Sequence, residues 1–171
     1  MQWIESFCDT FAKYLGVIIS FLLILMMVNV AFDTLNRYLM NSNSVALQEM
    51  EWHLFSVIIL LGTSYALSEE GHVRVDIFYT NFSAKKKAII NMIGVVTFML
   101  PLSLLVAFGS LGFVEEAYIF MEQSGDPGGL PYRFIIKGLI PTSFFILIFM
   151  SVGYFARNYN LLKRLNSGSK S

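Results

Sequence analysis

AIINMIGVVTFMLPLSLLVAFGSLGFV, residues 88–114, runs for 27 positions without an Asp, Glu, Lys or Arg. A helix needs about 20 residues to cross a hydrocarbon core of about 30 Å, and a charge at its centre costs about 2.5–3.5 kcal/mol. A stretch of this kind is a membrane span. Three further charge-free stretches lie to either side of it: YLGVIISFLLILMMVNVAF (14–32), LFSVIILLGTSYALS (54–68) and GLIPTSFFILIFMSVGYFA (138–156). The 12 basic and 12 acidic residues all fall outside the four.

The expected fold is therefore an all-α membrane protein, four transmembrane helices in a tilted bundle. A short N-terminal amphipathic helix and a cytoplasmic interfacial connector would accompany them. The expected spans are about 14–37, 48–68, 86–114 and 134–157, within one membrane domain over 1–165, followed by a disordered tail over 166–171. With 171 residues and 56% hydrophobic content, there is no room for a separate soluble domain.

Formal net charge is zero, so nucleic-acid binding has no electrostatic support. The 16 Phe and 8 Tyr fit lipid contact and interfacial belts. A lone cysteine, Cys8, forms no internal disulfide or CxxC site. The first apolar run is preceded by Glu5, Asp9 and Lys13 and lacks an A-x-A-like site, so it reads as a retained anchor rather than a cleaved signal.

Lys and Arg sort the connectors. With both termini in the cytoplasm, that side holds Lys13, Arg74, Lys85, Lys86, Lys87, Arg157, Lys163, Arg164 and Lys170, against Arg37, Arg133 and Lys137 outside. Nine against three favours this orientation.

Along the chain, Trp3, Ile4, Phe7 and Phe11 stand at helical spacing opposite Glu5, Asp9 and Lys13. That fits an amphipathic segment at the interface, or a continuation of the first span. Asp33 and Arg37 are four apart, so one helix face can carry them as an ion pair or as a solvated helix end. In the connector from Glu69 to Lys87, His72, Arg74 and Asp76 alternate with Val73, Val75 and Ile77; with no sheet to join, an interfacial segment is favoured over a strand. Asn81-Phe82-Ser83 matches a glycosylation sequon by chance on the cytoplasmic side. Ser83 is placed to cap the helix beginning at the lysines. Pro101, midway along the third span, leaves the Thr97 carbonyl without its helical donor and invites a kink. Pro131 is a candidate start of the fourth helix, and Pro141 a second bend.

Chemistry is scarce in the spans. Haem would need facing imidazoles, yet only His53 and His72 exist, about 28 Å apart at helical rise. No paired cysteines serve a disulfide enzyme, and no carboxylate lies within the four charge-free stretches to exchange protons for a substrate. Catalytic, substrate-binding and metal-binding residues are accordingly expected to be absent, and so is any cofactor. Asn29, Thr63, Ser64, Thr97, Ser103, Thr142 and Ser143 read as packing groups bonded to their own helix or a neighbour. Gly62, Gly94, Gly109, Gly112 and Gly153 are candidates for close helix approach, although Gly109-Ser110-Leu111-Gly112 is a small-residue patch and not a GxxxG motif.

The run from Gln48 through Glu49, Met50, Glu51, Trp52 and His53 to Phe55, then Leu61-Gly62, then Gly71-His72-Val73-Arg74-Val75-Asp76-Ile77, resembles the small membrane subunit of tripartite ATP-independent periplasmic (TRAP) transporters, the DctQ-like family. Gly128-Gly129-Leu130-Pro131-Tyr132-Arg133 with Ile136-Lys137 is similar to its mannitol or chloroaromatic branch. The resemblance covers about residues 10–160, and Ser68-Glu69-Glu70 departs from it by lacking the basic residue often found before the Gly-His pair.

The resemblance implies a subunit of the bacterial inner membrane that braces a large elevator-type membrane subunit. That subunit would hold the substrate and sodium sites, and a periplasmic binding protein would deliver an organic acid. Asp33, Arg37, Glu49, Glu51 and Trp52 are the candidates for polar contacts with the large subunit or among the helices. His72, Arg74, Asp76, Lys85, Lys86 and Lys87 would meet lipid headgroups. Glu115, Glu116, Glu122 and Asp126 would help dock the binding protein. The competing reading is a self-contained homo-oligomeric carrier or channel, which would catalyse flux without another polypeptide.

Overall fold

The computed structural model describes residues 2–69 and 82–168. Among them lie four rods: α1 (Gln2–Met40), α2 (Val45–Ser68), α3 (Ala84–Ile119) and α4 (Arg133–Gly168). Each is long and apolar enough to cross a membrane. At 1.5 Å per residue α2 is about 36 Å long, while α1, α3 and α4 exceed 50 Å and must tilt or project beyond the hydrocarbon.

No break separates the amphipathic residues from the first span: α1 is one helix from Gln2. It ends at Asn41, whose φ of 49° is the left-handed conformation that closes helices and that Asn tolerates well. The Ser44 hydroxyl accepts from the Leu47 N–H and opens α2, and the Ser83 hydroxyl accepts from the Lys86 N–H and opens α3. Arg133, two residues after Pro131, opens α4, with Tyr132 before it at φ 61°. At the far end α4 runs to Gly168, three residues into the stretch expected to be a tail. His72, Arg74, Asp76 and the sequon's Asn81 lie outside the described residues.

The disturbance expected at Pro101 takes the form of a π turn. Val95–Met99 are wound with one extra residue per turn, and the Leu100 N–H donates to the Val95 carbonyl. Pro101 then sits in the first turn of the α-helix that resumes, where no N–H is required. Pro141 lies buried inside α4, which continues through it.

The helices form an open array with α4 as its hub. In the most apolar window 28% of α4 is buried, against 6% of α1 and 11% each of α2 and α3. α3 packs along α4, and α2 lies between α4 and α1. α1 also touches α4 at its N-terminal end, where Phe7 and Phe11 meet Phe149 edge to face. The first helix touches the rest through one narrow seam. Cys8, Ala12, Leu15, Ile19, Leu22 and Met26 are buried or half-buried, as are Asn29 and Asp33, in alternating steps of four and three. That period of 3.5 is the coiled-coil repeat, and it leaves most of the remaining surface of α1 for lipid or a partner.

Close approach is made at two glycines. A Cβ on Gly153 would collide with Cys8, and one on Gly16 would come within 2.8 Å of the Tyr65 ring. Of the five glycines expected to serve this role, Gly153 alone does; nothing stands within 4 Å of a Cβ built on Gly62, Gly94, Gly109 or Gly112. α3 instead approaches α4 through Ala88, Ser103, Ala107 and Ala117, small residues that bury without a missing Cβ. Thr63, Thr97, Thr142 and Ser143 bond carbonyls of their own helices. Asn29 reaches across to the Leu47 carbonyl of α2 at 3.0 Å.

Candidate functional site

Polar side chains gather at the two ends of the array. At the end carrying both termini, Asn160 donates to Glu5 of α1 at 2.9 Å and Arg157 to the Ser68 carbonyl of α2 at 3.2 Å. There too Asn91 of α3 donates to Asn158 at 3.0 Å. These bonds tie the fourth helix to each of its three neighbours.

The opposite end is built around Glu49, in the second turn of α2 and only 5% exposed. Its carboxylate accepts from the Ser124 hydroxyl at 2.6 Å, the Leu130 N–H at 2.5 Å and the Arg133 guanidinium at 2.9 Å. These donors lie 75 to 84 residues away along the chain. A buried carboxylate without such partners would be strongly destabilising, so Glu49 fixes the loop as much as the loop satisfies Glu49.

The loop is shaped to bring those donors in. α3 closes with the Glu122 N–H on the Ala117 carbonyl and the Met121 N–H on that of Tyr118, the paired bonds of a Schellman cap. Met121 takes the left-handed position at φ 45°, where glycine is usual. Asp126-Pro127-Gly128-Gly129 forms a tight turn, the Gly129 N–H donating to the Asp126 carbonyl, with Gly128 at φ 83° as a type II turn requires. A Cβ on Gly129 would collide with Ser124 and stand 2.8 Å from the Glu49 carboxylate. Only glycine lets the backbone pass there.

Around this centre, Lys137 pairs with Glu122 while its ammonium stands 3.8 Å from the Phe113 ring centroid. Trp52 stacks on His53 at 4.0 Å, with Arg133 at 5.9 Å from its ring. On α1, Asp33 is 1% exposed and pairs with the half-exposed Arg37. One Asp33 carboxylate oxygen has no hydrogen-bond partner among the described residues.

The arrangement around Glu49 joins α2 and α4 to the 120–132 loop, and among the described residues no group of three or more His, Cys, Asp and Glu could hold a metal ion. It is a brace between helices and a shaped loop. The family model for tripartite ATP-independent periplasmic transporters, DctQ component, matches residues 26–161. The chain belongs to the DctQ family. No curated protein and no solved structure matches it.

DctQ proteins are the small components of TRAP transporters, a transporter-component family and not an enzyme family, and this chain is such a multi-pass membrane subunit. Against that background the candidate residues separate. Glu49 faces its own loop, and Trp52 stands partly exposed beside Arg133. Glu51 is half-buried on α2. Of the four acids expected in the loop, Glu115 and Glu116 instead stand exposed on the last turns of α3, Asp126 is exposed in the loop, and Glu122 is held by Lys137. Lys85 and Lys86 are exposed and Lys87 is half-buried at the start of α3. Sequence reasoning passed over Ser124 and the Asn91, Asn158 and Asn160 contacts, whose only signal was polar residues near helix ends.

Proposed function

We propose that this subunit is a passive brace for the large, elevator-type TRAP membrane subunit during sodium-coupled uptake of an organic acid. A moving domain can cross a bilayer only relative to something that resists being dragged. Four long helices with mostly apolar outer faces, three of them too long to stand upright in the hydrocarbon, supply that resistance. The observation that carries the reading is the family match, joined to ion pairs at the rod ends that tie α2 to α4 through Glu49 and Arg133 and the loop to α4 through Glu122 and Lys137.

The chain lies in the bacterial inner membrane with both termini cytoplasmic, on the Lys and Arg distribution. The loop pinned by Glu49 then faces the periplasm, where exposed Glu115, Glu116 and Asp126 help dock the binding protein. Lys85, Lys86 and Lys87 meet anionic headgroups on the other side, each contributing about 1 kcal/mol near such a surface. Arg37, half-exposed beside the buried Asp33, is the polar contact offered to the large subunit.

The test is co-purification with a much larger multi-span polypeptide, followed by flux in liposomes. Uptake is expected only with that polypeptide and a binding protein present; flux by this chain alone would establish a self-contained carrier instead. Arg37→Glu is expected to insert normally but to lose assembly or uptake, and normal assembly and uptake would remove Arg37 from the interface.

A further inference from the structure

Where α2, α4 and the end of α3 meet, an open apolar groove offers about 480 Å³. Phe55 and Ile59 of α2 and Ile136 and Ile140 of α4 line its length. Trp52, Phe113, Arg133 and Lys137 form the end nearest the 120–132 loop. The volume falls in the range of about 300–1,000 Å³ typical of small-molecule sites.

Its charge is one-sided. Arg133 and Lys137 border the groove, whereas their partners Glu49 and Glu122 do not. One terminal nitrogen of the Arg133 guanidinium serves Glu49 and Ser124, while its Nε is buried and has no acceptor. The Nε lies out of a ligand's reach, but the side chain is still 27% exposed, and a guanidinium is well matched to phosphate oxygens. Lys137, over the Phe113 ring, adds a second cation at the same level. The groove is thus cationic at the depth where a span leaves the hydrocarbon and apolar below it.

We propose that this groove is a binding site for one anionic phospholipid of the adjacent leaflet. Its phosphate lies at Arg133 and Lys137, and an acyl chain follows Phe55, Ile59, Ile136 and Ile140. A helix of the large subunit could fill the apolar length but would bring no phosphate to the two cations. The inference does not depend on the brace reading or on which way the chain faces.

Native mass spectrometry of the full chain, extracted in mild detergent from vesicles of equal phosphatidylglycerol and phosphatidylcholine, tests it. One retained phospholipid per chain is expected, enriched in phosphatidylglycerol. Lys137→Gln should lower that retention about fivefold. Ile59→Trp, at a half-exposed position on the groove wall, should lower retention of both lipids. Thermal unfolding of each variant checks that it remains folded, and either one alone suffices for the test. No retained lipid, equal retention of the two lipids, or unchanged retention in a folded variant overturns the proposal. So does efficient crosslinking of Ile59→Cys to a larger polypeptide in complexes that carry no lipid.

Discussion

At the end of the array that carries both termini, α4 reaches the other helices through bonds that share no partner, whereas at the opposite end three donors from two segments converge on the carboxylate of Glu49. Separate bonds fail one at a time. A shared acceptor makes its donors depend on one another, since removing the carboxylate strands a hydroxyl, a backbone N–H and a guanidinium together. The loop end is therefore the cooperative end, and the terminal end is the additive one.

The largest effect is expected from Glu49→Ala. Breaking a buried pair while leaving the cation behind costs about 3 kcal/mol. It should appear as a lower unfolding temperature in detergent and as new protease cleavage within 122–131. Next is Gly129→Ala, which forces Ser124 or Glu49 aside at about 1–3 kcal/mol. Its cost should shrink when measured in a Glu49→Ala background, and a double-mutant cycle reads that coupling directly. Full additivity of the two would refute the convergence.

At the terminal end, Asn158→Ala and Asn160→Ala should each cost about 0.6 kcal/mol, the average for polar contacts between helices in a bilayer. Their sum should match the double variant in thermal unfolding, because the two side chains serve different helices. Smallest of all, Gly62→Ala meets no neighbouring atom and should be neutral or stabilising by up to about 1 kcal/mol. A clear loss there would mean that the site is covered by a partner in the assembled transporter.

The four spans were legible because charge is so costly in hydrocarbon that its absence alone marks them. Local devices were legible too: Ser83 as a cap, Asp33 and Arg37 as a pair, and a disturbance before Pro101 all arise from neighbours within one or two turns. The seam on α1 was not, since on a helix apolar all round the buried stripe carries no contrast with the exposed one. Only Asn29 and Asp33, polar residues continuing the same stripe, hinted at its direction. The role of Glu49 was hidden for a different reason. Its partners are fixed by tertiary folding of a distant loop, and no spacing rule joins Glu49 to Ser124 or Arg133.

The π turn in α3 acts as a one-residue frameshift in the packing code. Up to Val95 the positions facing α4 follow a seven-residue repeat from Ala88; beyond the turn the same repeat resumes one place late, at Ser103, Ser110 and Ala117. Unshifted, it would fall on Leu102, Gly109 and Glu116, which are exposed. Winding the same sequence as plain α-helix would therefore aim a leucine and a glutamate at the hub helix, whereas deleting Thr97 together with the π turn would return Ser103, Ser110 and Ala117 to it; every apolar window survives in both cases, so hydropathy alone would not tell them apart.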